Sequence, residues 1–345
     1  MFGGVLYKPM DNPTQHTEDR MSYFREDVGV SEFLAQFTVT YPTWLDQAKY
    51  KKIHNFRVGE LYYYVIQQLY ARYSLERIAN TMPNTEVLLW DKPIKVGYNP
   101  NMMTFDGYAY FARPDNMVPE EFSSFQVSKA QDYERRFLHA LDFETIYSLV
   151  SGVMGNIITA ARDPAFYMLL HRVVKLFQQY KSTLHPYTKQ DLGFPGIKID
   201  SLDIDRLTTY FDRFDFEVTN GVPIHGEKTY KDYLYVARQY RINHKPFNYK
   251  LSLTSDRPCD AIVRFFIGPK HDSHDRELVL EQSRMAFVEF DRFPAKLVKG
   301  HNLLERNSKE SPAYIEDAEG LRSISDRVEE ASSDEPMDVM DVRNN

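Results

Sequence analysis

The sequence predicts an α+β protein in which a mainly helical region precedes a β-rich region. Between about Ser22 and Ser201, the long apolar patterns repeat every three or four residues, as they do on one face of a helix. After about Thr219 the pattern changes to partial alternation and to runs of β-branched and aromatic residues broken by prolines. We therefore expect several domains, with a helical domain at 21–218 and a β-rich domain at 219–309.

The clearest helical pattern spans Arg57 to Asn80. Apolar residues recur there at steps of three and four, so one stripe of the helix is expected to face a core. Arg72 and Glu76 lie four residues apart, a spacing at which opposite charges meet on a helix surface. The predicted stripe consists of Val58, Leu61, Val65, Leu69 and Tyr73.

A second helix is predicted to begin at Asp163 and Pro164. An aspartate can cap the free amides of a first turn, and a proline fits that turn because its missing amide hydrogen is not needed there. The expected buried face consists of Phe166, Leu170, Val173 and Phe177.

The second half of the chain is predicted to form strands separated by proline-containing connections. Residues 1–20 are polar and rich in turn formers, so we expect an irregular lead-in. Residues 310–345 carry 11 acidic residues against 3 arginines, which predicts a disordered tail. The predicted strands cover residues 231–240, 247–253, 261–267 and 285–290.

The composition excludes some functions and leaves others open. With 42 Lys and Arg against 49 Asp and Glu, the formal charge of −7 gives no electrostatic basis for binding nucleic acid or an acidic membrane. No segment approaches the roughly 18 consecutive apolar residues of a membrane span, and the first 20 residues show no signal-peptide pattern. Aromatic residues make up 14% of the chain, which indicates either rings that fill the core and interfaces or a reserve of aromatic amino acids.

The histidines and the cysteine offer few candidates for chemistry. None of the ten histidines belongs to a helical i, i+4 pair, which could bring two imidazoles to one copper or zinc ion. His271 and His274 lie between predicted strands, which favours a solvated hairpin tip over a metal site. His171 lies beside the buried face of its helix and is interpreted as a structural histidine. Cys259 is the single cysteine and is assigned no role.

Two carboxylate pairs could in principle support acid–base chemistry: Asp203 with Asp205, and Asp212 with Asp215. Each pair has an arginine beside or between its members. Because a neighbouring guanidinium can neutralise these groups, we expect local ion pairs and no catalytic role.

Six sequence blocks, taken together and in order, resemble one family. The chain is similar to the arthropod haemocyanin, prophenoloxidase and insect hexamerin superfamily, and is most like a shortened insect hexamerin of the arylphorin type. The match runs with interruptions from about residue 20 to residue 330. The blocks are YFREDVGV (23–30), GELYYYVIQQLYARYSLERIAN (59–80), RDPAFYMLLHRVVKLFQQYK (162–181), IDRLTTYFDRFDFEVTN (204–220), ARQYRINHKPFNYKL (237–251) and VRFFIGPK (263–270).

The resemblance implies an internally shortened, mainly helical haemocyanin-type middle domain and a partial β-rich C-terminal domain with an immunoglobulin-like sandwich. Copper-binding members hold two coppers in the middle domain through six histidines. Here the stretch 33–38 replaces a histidine-rich run, and His171 stands one residue, about 100° around a helix, from a ligand position. A segment that would carry a further histidine pair is missing. The positions that resemble lost ligands hold Leu34, Thr38, Ile66 and Leu170.

The resemblance therefore implies a non-enzymatic, metal-free storage protein that serves as an aromatic-rich amino-acid reserve, without a cofactor. Its expected location is extracellular, in haemolymph. A copper-dependent oxygen carrier or phenol oxidase is an alternative that the missing histidines disfavour, and a carrier of a small hydrophobic ligand or hormone is a further alternative. The family assembly is a homo- or hetero-hexamer, but a shortened chain is expected to retain fewer subunit contacts and open sheet edges.

Overall fold

The chain divides into two compact units. The helical unit falls within residues 14–193 and 266–288, and the β unit within residues 1–13, 194–265 and 289–345. The computed structural model describes residues 5–7, 17–41, 57–103, 108–119, 127–139, 157–218 and 235–314.

The helical unit contains a short 3-10 helix at Thr17–Met21 followed by α-helices. In the described ranges, none of its helices is both long enough and apolar enough to cross a membrane. The α-helices are α1 (Ser22–Arg25), α2 (Val28–Thr40), α3 (Val58–Ala79), α4 (Val127–His139), α5 (Ile157–Ala160), α6 (Pro164–Thr183), α7 (Lys189–Leu192) and α8 (Leu280–Ser283).

The two helices predicted from the sequence form where they were expected. Helix α3 begins directly after Arg57, and α6 begins at Pro164 with Asp163 as its N-cap. The Asp163 carboxylate accepts a hydrogen bond from the amide nitrogen of Ala165 at 2.8 Å, so the predicted cap is confirmed. The predicted ion pair between Arg72 and Glu76 also forms on α3.

The buried face of α3 lies further around the helix than the predicted stripe. Leu69 and Tyr73 are buried as expected, but Leu61 and Val65 are only half-buried. The fully buried positions include polar side chains as well as apolar ones, so apolar periodicity alone could not locate the face. The buried residues of α3 are Tyr62, Ile66, Gln67, Leu69, Tyr70, Ala71, Tyr73, Ser74, Glu76 and Arg77.

The β unit is a set of small sheets. One sheet has the order β1-β4-β3, with β1 parallel to β4 and β3 antiparallel to it. A second has the antiparallel order β2-β5-β8, and a third pairs β6 with β7. The strands are β1 (Val5–Tyr7), β2 (Ile197–Ile204), β3 (Thr209–Glu217), β4 (Val236–His244), β5 (Asn248–Ser255), β6 (Cys259–Ile267), β7 (Val288–Leu297) and β8 (Gly300–Asn307).

The core of the β unit lies between the β2-β5-β8 sheet and the β6-β7 pair. Strand β5 contributes every second residue to this core, as a half-buried strand should. The resulting two-layer arrangement agrees with the predicted β-rich sandwich. The buried core residues are Tyr249, Leu251, Leu253, Phe265, Ala295 and Leu297.

The strand-rich region begins earlier than the boundary expected at residue 219. Strands β2 and β3 occupy Ile197–Ile204 and Thr209–Glu217, within the range assigned to the helical domain. Both strands form ladders with partners about twenty to sixty residues further along the chain, namely β5 and β4. Pairing over that distance cannot be recognised from local periodicity, which explains the error.

Three other expectations require correction. The lead-in 1–20 is not wholly irregular, since it contains β1 and the beginning of the Thr17–Met21 helix. The predicted strand at 285–290 begins only at Val288, because Arg284–Ala286 forms a 3-10 helix within the helical unit. There the side-chain amide of Gln67 donates to the carbonyl oxygen of Met285 at 3.0 Å. The tail predicted at 310–345 begins later than expected, since Ser311 is buried and its hydroxyl donates to the carbonyl oxygen of Phe290. The rest of the predicted tail, beyond residue 314, lies outside the described residues.

The charge of Asp163 is expected to be important for stability, because its buried carboxylate both caps α6 and binds Arg113. The two ion-pair contacts measure 2.6 Å from Arg113 Nη2 and 3.2 Å from Nε. Asp163→Ala should lower the free energy of unfolding by about 3–5 kcal/mol, since it leaves a buried guanidinium unpaired. Urea unfolding measures this loss.

Asp163→Asn separates the two roles, because an amide oxygen can still cap the helix while the negative charge is removed. We expect an intermediate loss for this variant. Asp191→Ala is the matched control, since Asp191 caps the exposed helix α7 through Thr188. Equal losses for Asp163→Ala and Asp191→Ala would contradict the importance of the buried ion pair.

Candidate functional site

Three aliphatic side chains from three helices are buried in the core of the helical unit. Leu34 on α2, Ile66 on α3 and Leu170 on α6 are 6%, 7% and 5% exposed. All three belong to one cluster of buried residues. We call these three residues the apolar centre. These are three of the four positions that resemble lost copper ligands, so tertiary structure brings together residues far apart in sequence.

Thr38, the fourth of these positions, lies one turn after Leu34 on α2 and is half-buried. Its hydroxyl Oγ1 donates to the carbonyl oxygen of Leu34 at 2.8 Å. The hydroxyl is therefore engaged with the backbone of its own helix, as threonines within helices often are.

His171 makes contacts typical of a structural histidine. Its Nδ1 lies 2.8 Å from the carbonyl oxygen of Thr85, so the neutral ring carries its proton on Nδ1. The ring stacks on Tyr70 with 4.8 Å between the ring centroids. Burial lowers the pKa of His171, because the charged imidazolium loses solvation.

Copper does not fit the apolar centre. Copper binding needs lone pairs from imidazole, thiolate or similar groups, and leucine and isoleucine carry none. Within the described ranges, no group of three or more His, Cys, Asp or Glu side chains is arranged to hold a metal ion. No chemical step through a metal can therefore be assigned to these residues.

The remaining sequence candidates lie apart from the apolar centre. His271 and His274 occupy the loop between β6 and α8, where His271 forms an isolated bridge with Glu277. The amide of Asp272 also donates to the carbonyl oxygen of Arg276 at 2.9 Å, so His274 lies at the exposed tip of a small hairpin, which confirms the prediction. Cys259 is half-buried at the start of β6 and packs against the sandwich core.

The carboxylate pairs bind partners that are distant in sequence. Asp215 forms an ion pair at 2.6 Å with Arg238, its register partner on β4, which lowers the pKa of Asp215. The Asp205 carboxylate accepts hydrogen bonds from the backbone and side chain of Asn248, which lower its pKa. Asp205 and Asp215 therefore stabilise the fold. The ion-pair partner of Asp215 is an arginine on another strand, whereas the sequence predicted an arginine nearby in the chain.

Sequence analysis missed a buried polar cluster beside the apolar centre. Arg77 Nη1 donates to Glu18 Oε1 at 2.6 Å, and the Tyr73 hydroxyl donates to Glu18 Oε2 at 3.0 Å. The buried side chain of Arg25 donates to the carbonyl oxygens of Glu18 and Arg162. These groups come from distant parts of the sequence, so no local motif could have revealed the cluster.

The fold and this centre define a class of protein: a haemocyanin-type helical domain with a β sandwich, carrying aliphatic residues at positions that resemble copper-ligand positions. Residues 6–149 match the family described as "Hemocyanin, copper containing domain", and residues 186–344 match "Hemocyanin, ig-like domain". The chain belongs to the superfamily of haemocyanins, prophenoloxidases and hexamerins, as its six sequence blocks predicted.

Relatives of similar sequence include an allergen, a hexamerin and an arylphorin subunit. The allergen Cr-PI of Periplaneta americana is 32% identical over 93% of this chain and 55% of its own length. A hexamerin of Blaberus discoidalis is 29% identical over 94% of this chain and 57% of its length. Arylphorin subunit alpha of Manduca sexta is 29% identical over 93% of this chain and 54% of its length. The chain thus spans about half the length of these relatives.

Solved structures confirm the predicted fold class. A scorpion haemocyanin superposes with a TM-score of 0.81 at 23% identity, over 93% of this chain and 60% of its own. A crustacean haemolymph-type prophenoloxidase superposes with a TM-score of 0.77 at 20% identity, over 90% of this chain and 59% of its own. At these identities the likeness concerns the fold and does not transfer an activity.

Truncation of the apolar centre should destabilise the helical unit. We expect Ile66→Ala and Leu170→Ala each to lower the free energy of unfolding by about 2–5 kcal/mol, because each leaves a cavity among close-packed side chains. Val39→Ala on α2 is the control, since Val39 is largely exposed and its truncation should change stability by less than about 0.5 kcal/mol. Denaturant unfolding compares the three, and losses no larger than that of Val39→Ala would show that the centre is not closely packed.

The lowered pKa of His171 predicts a pH dependence of stability. Below the ordinary histidine pKa of 6.5, the unfolded chain binds a proton that the folded chain resists, so stability should fall as the pH is lowered from 7 towards 5. In His171→Gln the fall should be smaller. Urea unfolding at both pH values tests this, with the exposed His274→Gln as control. An unchanged pH dependence in His171→Gln would contradict the prediction.

Proposed function

We propose that this protein is a non-enzymatic, metal-free storage protein of the hexamerin type. The observation that carries the proposal is the apolar centre: Leu34, Ile66 and Leu170, which the sequence resemblance assigns to lost copper-ligand positions, are buried in one cluster. A protein that stores amino acids needs a stable fold and a useful composition, but no reactive group. The named relatives, among them hexamerins and arylphorins, support this class.

The composition supports an aromatic-rich reserve. The chain contains 24 Tyr, 23 Phe and 2 Trp, and many of these rings build the cores of both units. The two interpretations of the aromatic content are therefore compatible, because the same ring can stabilise the fold and later be released by proteolysis. The proposal includes an extracellular location in haemolymph and assembly with other chains of the same family.

A copper-dependent phenol oxidase is the principal competing function, since a prophenoloxidase shares the fold. The two functions differ in what the purified chain should bind. We expect less than a tenth of a copper ion per chain after incubation with copper and gel filtration, on the order of background, because aliphatic groups supply no metal ligands. Elemental analysis measures the metal, and a catechol oxidation assay with and without added copper measures the activity.

An authentic crustacean prophenoloxidase, activated in parallel, is the positive control for both measurements. Two coppers per chain, or catechol oxidation that depends on added copper, would disprove the metal-free proposal. The storage role is tested separately by peptide mass spectrometry of larval haemolymph. An abundant protein that declines when feeding stops would support storage, whereas a scarce protein of constant level would contradict it.

A further inference from the structure

Strand β2 carries an apolar row on the core side of its sheet that nothing in the described structure covers. Residues directly opposite each other on paired strands share one face of the sheet. The β5 partners of this row are 3%, 5% and 1% exposed, whereas the β2 residues themselves are 66%, 47% and 36% exposed. The opposed pairs, in the same order, are Ile199 with Leu253, Leu202 with Leu251, and Ile204 with Tyr249.

The same strand forms the margin of its sheet. In the described part of the chain, β2 is hydrogen-bonded to β5 alone, so its other side presents unpaired backbone amide and carbonyl groups. A strand of eight residues with a free backbone edge and an uncovered apolar row can extend its sheet by accepting another strand.

The sequence of β2 is complementary to itself when a second copy runs antiparallel. Residues 197–204 read I-K-I-D-S-L-D-I, and an alignment centred between positions 200 and 201 places opposite charges and apolar side chains face to face. The facing pairs are Ile197 with Ile204, Lys198 with Asp203, Ile199 with Leu202 and, at the centre, Asp200 with Ser201, and each occurs twice by symmetry.

The bulge in β2 places the two residues of each facing pair on the same side of the sheet. The register with β5 shifts between Ile199 and Ser201, so an extra residue at Asp200 lies between the two halves of the strand. As a result, the apolar residues of both halves stay on the core side, while Lys198 and Asp203 share the outer side. Lys198 now lies 3.5 Å from Asp200, but this exposed contact is weak enough to exchange for a new partner.

We infer that β2 is a docking site for a second copy of this chain. The two copies pair antiparallel through β2 across a two-fold axis and join their β2-β5-β8 sheets into one continuous sheet. Such an interface is isologous, since each copy supplies the same strand. Charge complementarity selects the partner, because Lys198 of each copy faces Asp203 of the other.

Charge reversal tests this pairing in the full chain. Lys198→Asp places Asp opposite Asp twice, and Asp203→Lys places Lys opposite Lys twice. Each variant alone should weaken dimerisation by about tenfold or more, because opposed like charges destabilise paired strands. Lys296→Asp on β7 is the matched control, since it makes the same charge change at an exposed position outside β2. Sedimentation equilibrium measures the dissociation constants, and circular dichroism checks that each variant is folded.

Mixing the two single variants gives the decisive measurement. In a mixed pair, Asp at position 198 of one copy faces Lys at position 203 of the other, and Asp203 of the first faces Lys198 of the second. The mixture should therefore regain the affinity lost by each variant alone, as should the double variant K198D/D203K. A wild-type chain that stays monomeric, single variants that associate like Lys296→Asp, or a mixture that does not recover would each overturn the inference. Association unaffected by any β2 variant would place the contact elsewhere.

Discussion

The rings of Tyr73 and Tyr167 stack at the middle of the helical unit, with 3.7 Å between their centroids and 13° between their planes. Both side chains are fully buried, and they join α3 to α6. Phe24 from α1 lies near both rings, and Glu18 accepts the hydrogen bond of the Tyr73 hydroxyl. Because one stacked pair fixes two long helices and orients the segment before them, the close packing of the apolar centre depends on it.

The apolar centre holds three helices of this fold together by burial alone. A metal centre holds helices together through directional bonds to a few donor atoms, whereas leucine and isoleucine do so through burial, at roughly 25 cal/mol for each Å² of apolar surface removed from water. Both arrangements need the helices at similar distances, so the backbone can persist. The likeness to haemocyanin and prophenoloxidase structures therefore describes the scaffold and not an activity.

The β unit is stabilised in a different way. Asp291 is buried in the sandwich, accepts a hydrogen bond from the Tyr249 hydroxyl, and pairs with Arg306 at 3.2 Å. Arg306 also lies over the ring of Phe293, 4.4 Å from its centroid, so its charge is balanced on two sides. This network connects β5, β7 and β8 across the two layers. Strand β2 contributes no residue to this network and lies at the margin of its sheet. The core around Asp291 is therefore enclosed, whereas β2 can accept a partner strand.

The sequence alone determined the features that depend on local signals: the extent of α3, the start of α6, the cap at Asp163 and the α+β class. Tertiary structure decided which face of α3 is buried, that β structure begins at Ile197, and that the aliphatic residues meet in one cluster. Helix caps and periodicity act within a few residues, and the sequence therefore records them directly. Strand partners and core contacts join residues far apart in the chain, so only the folded protein reveals them.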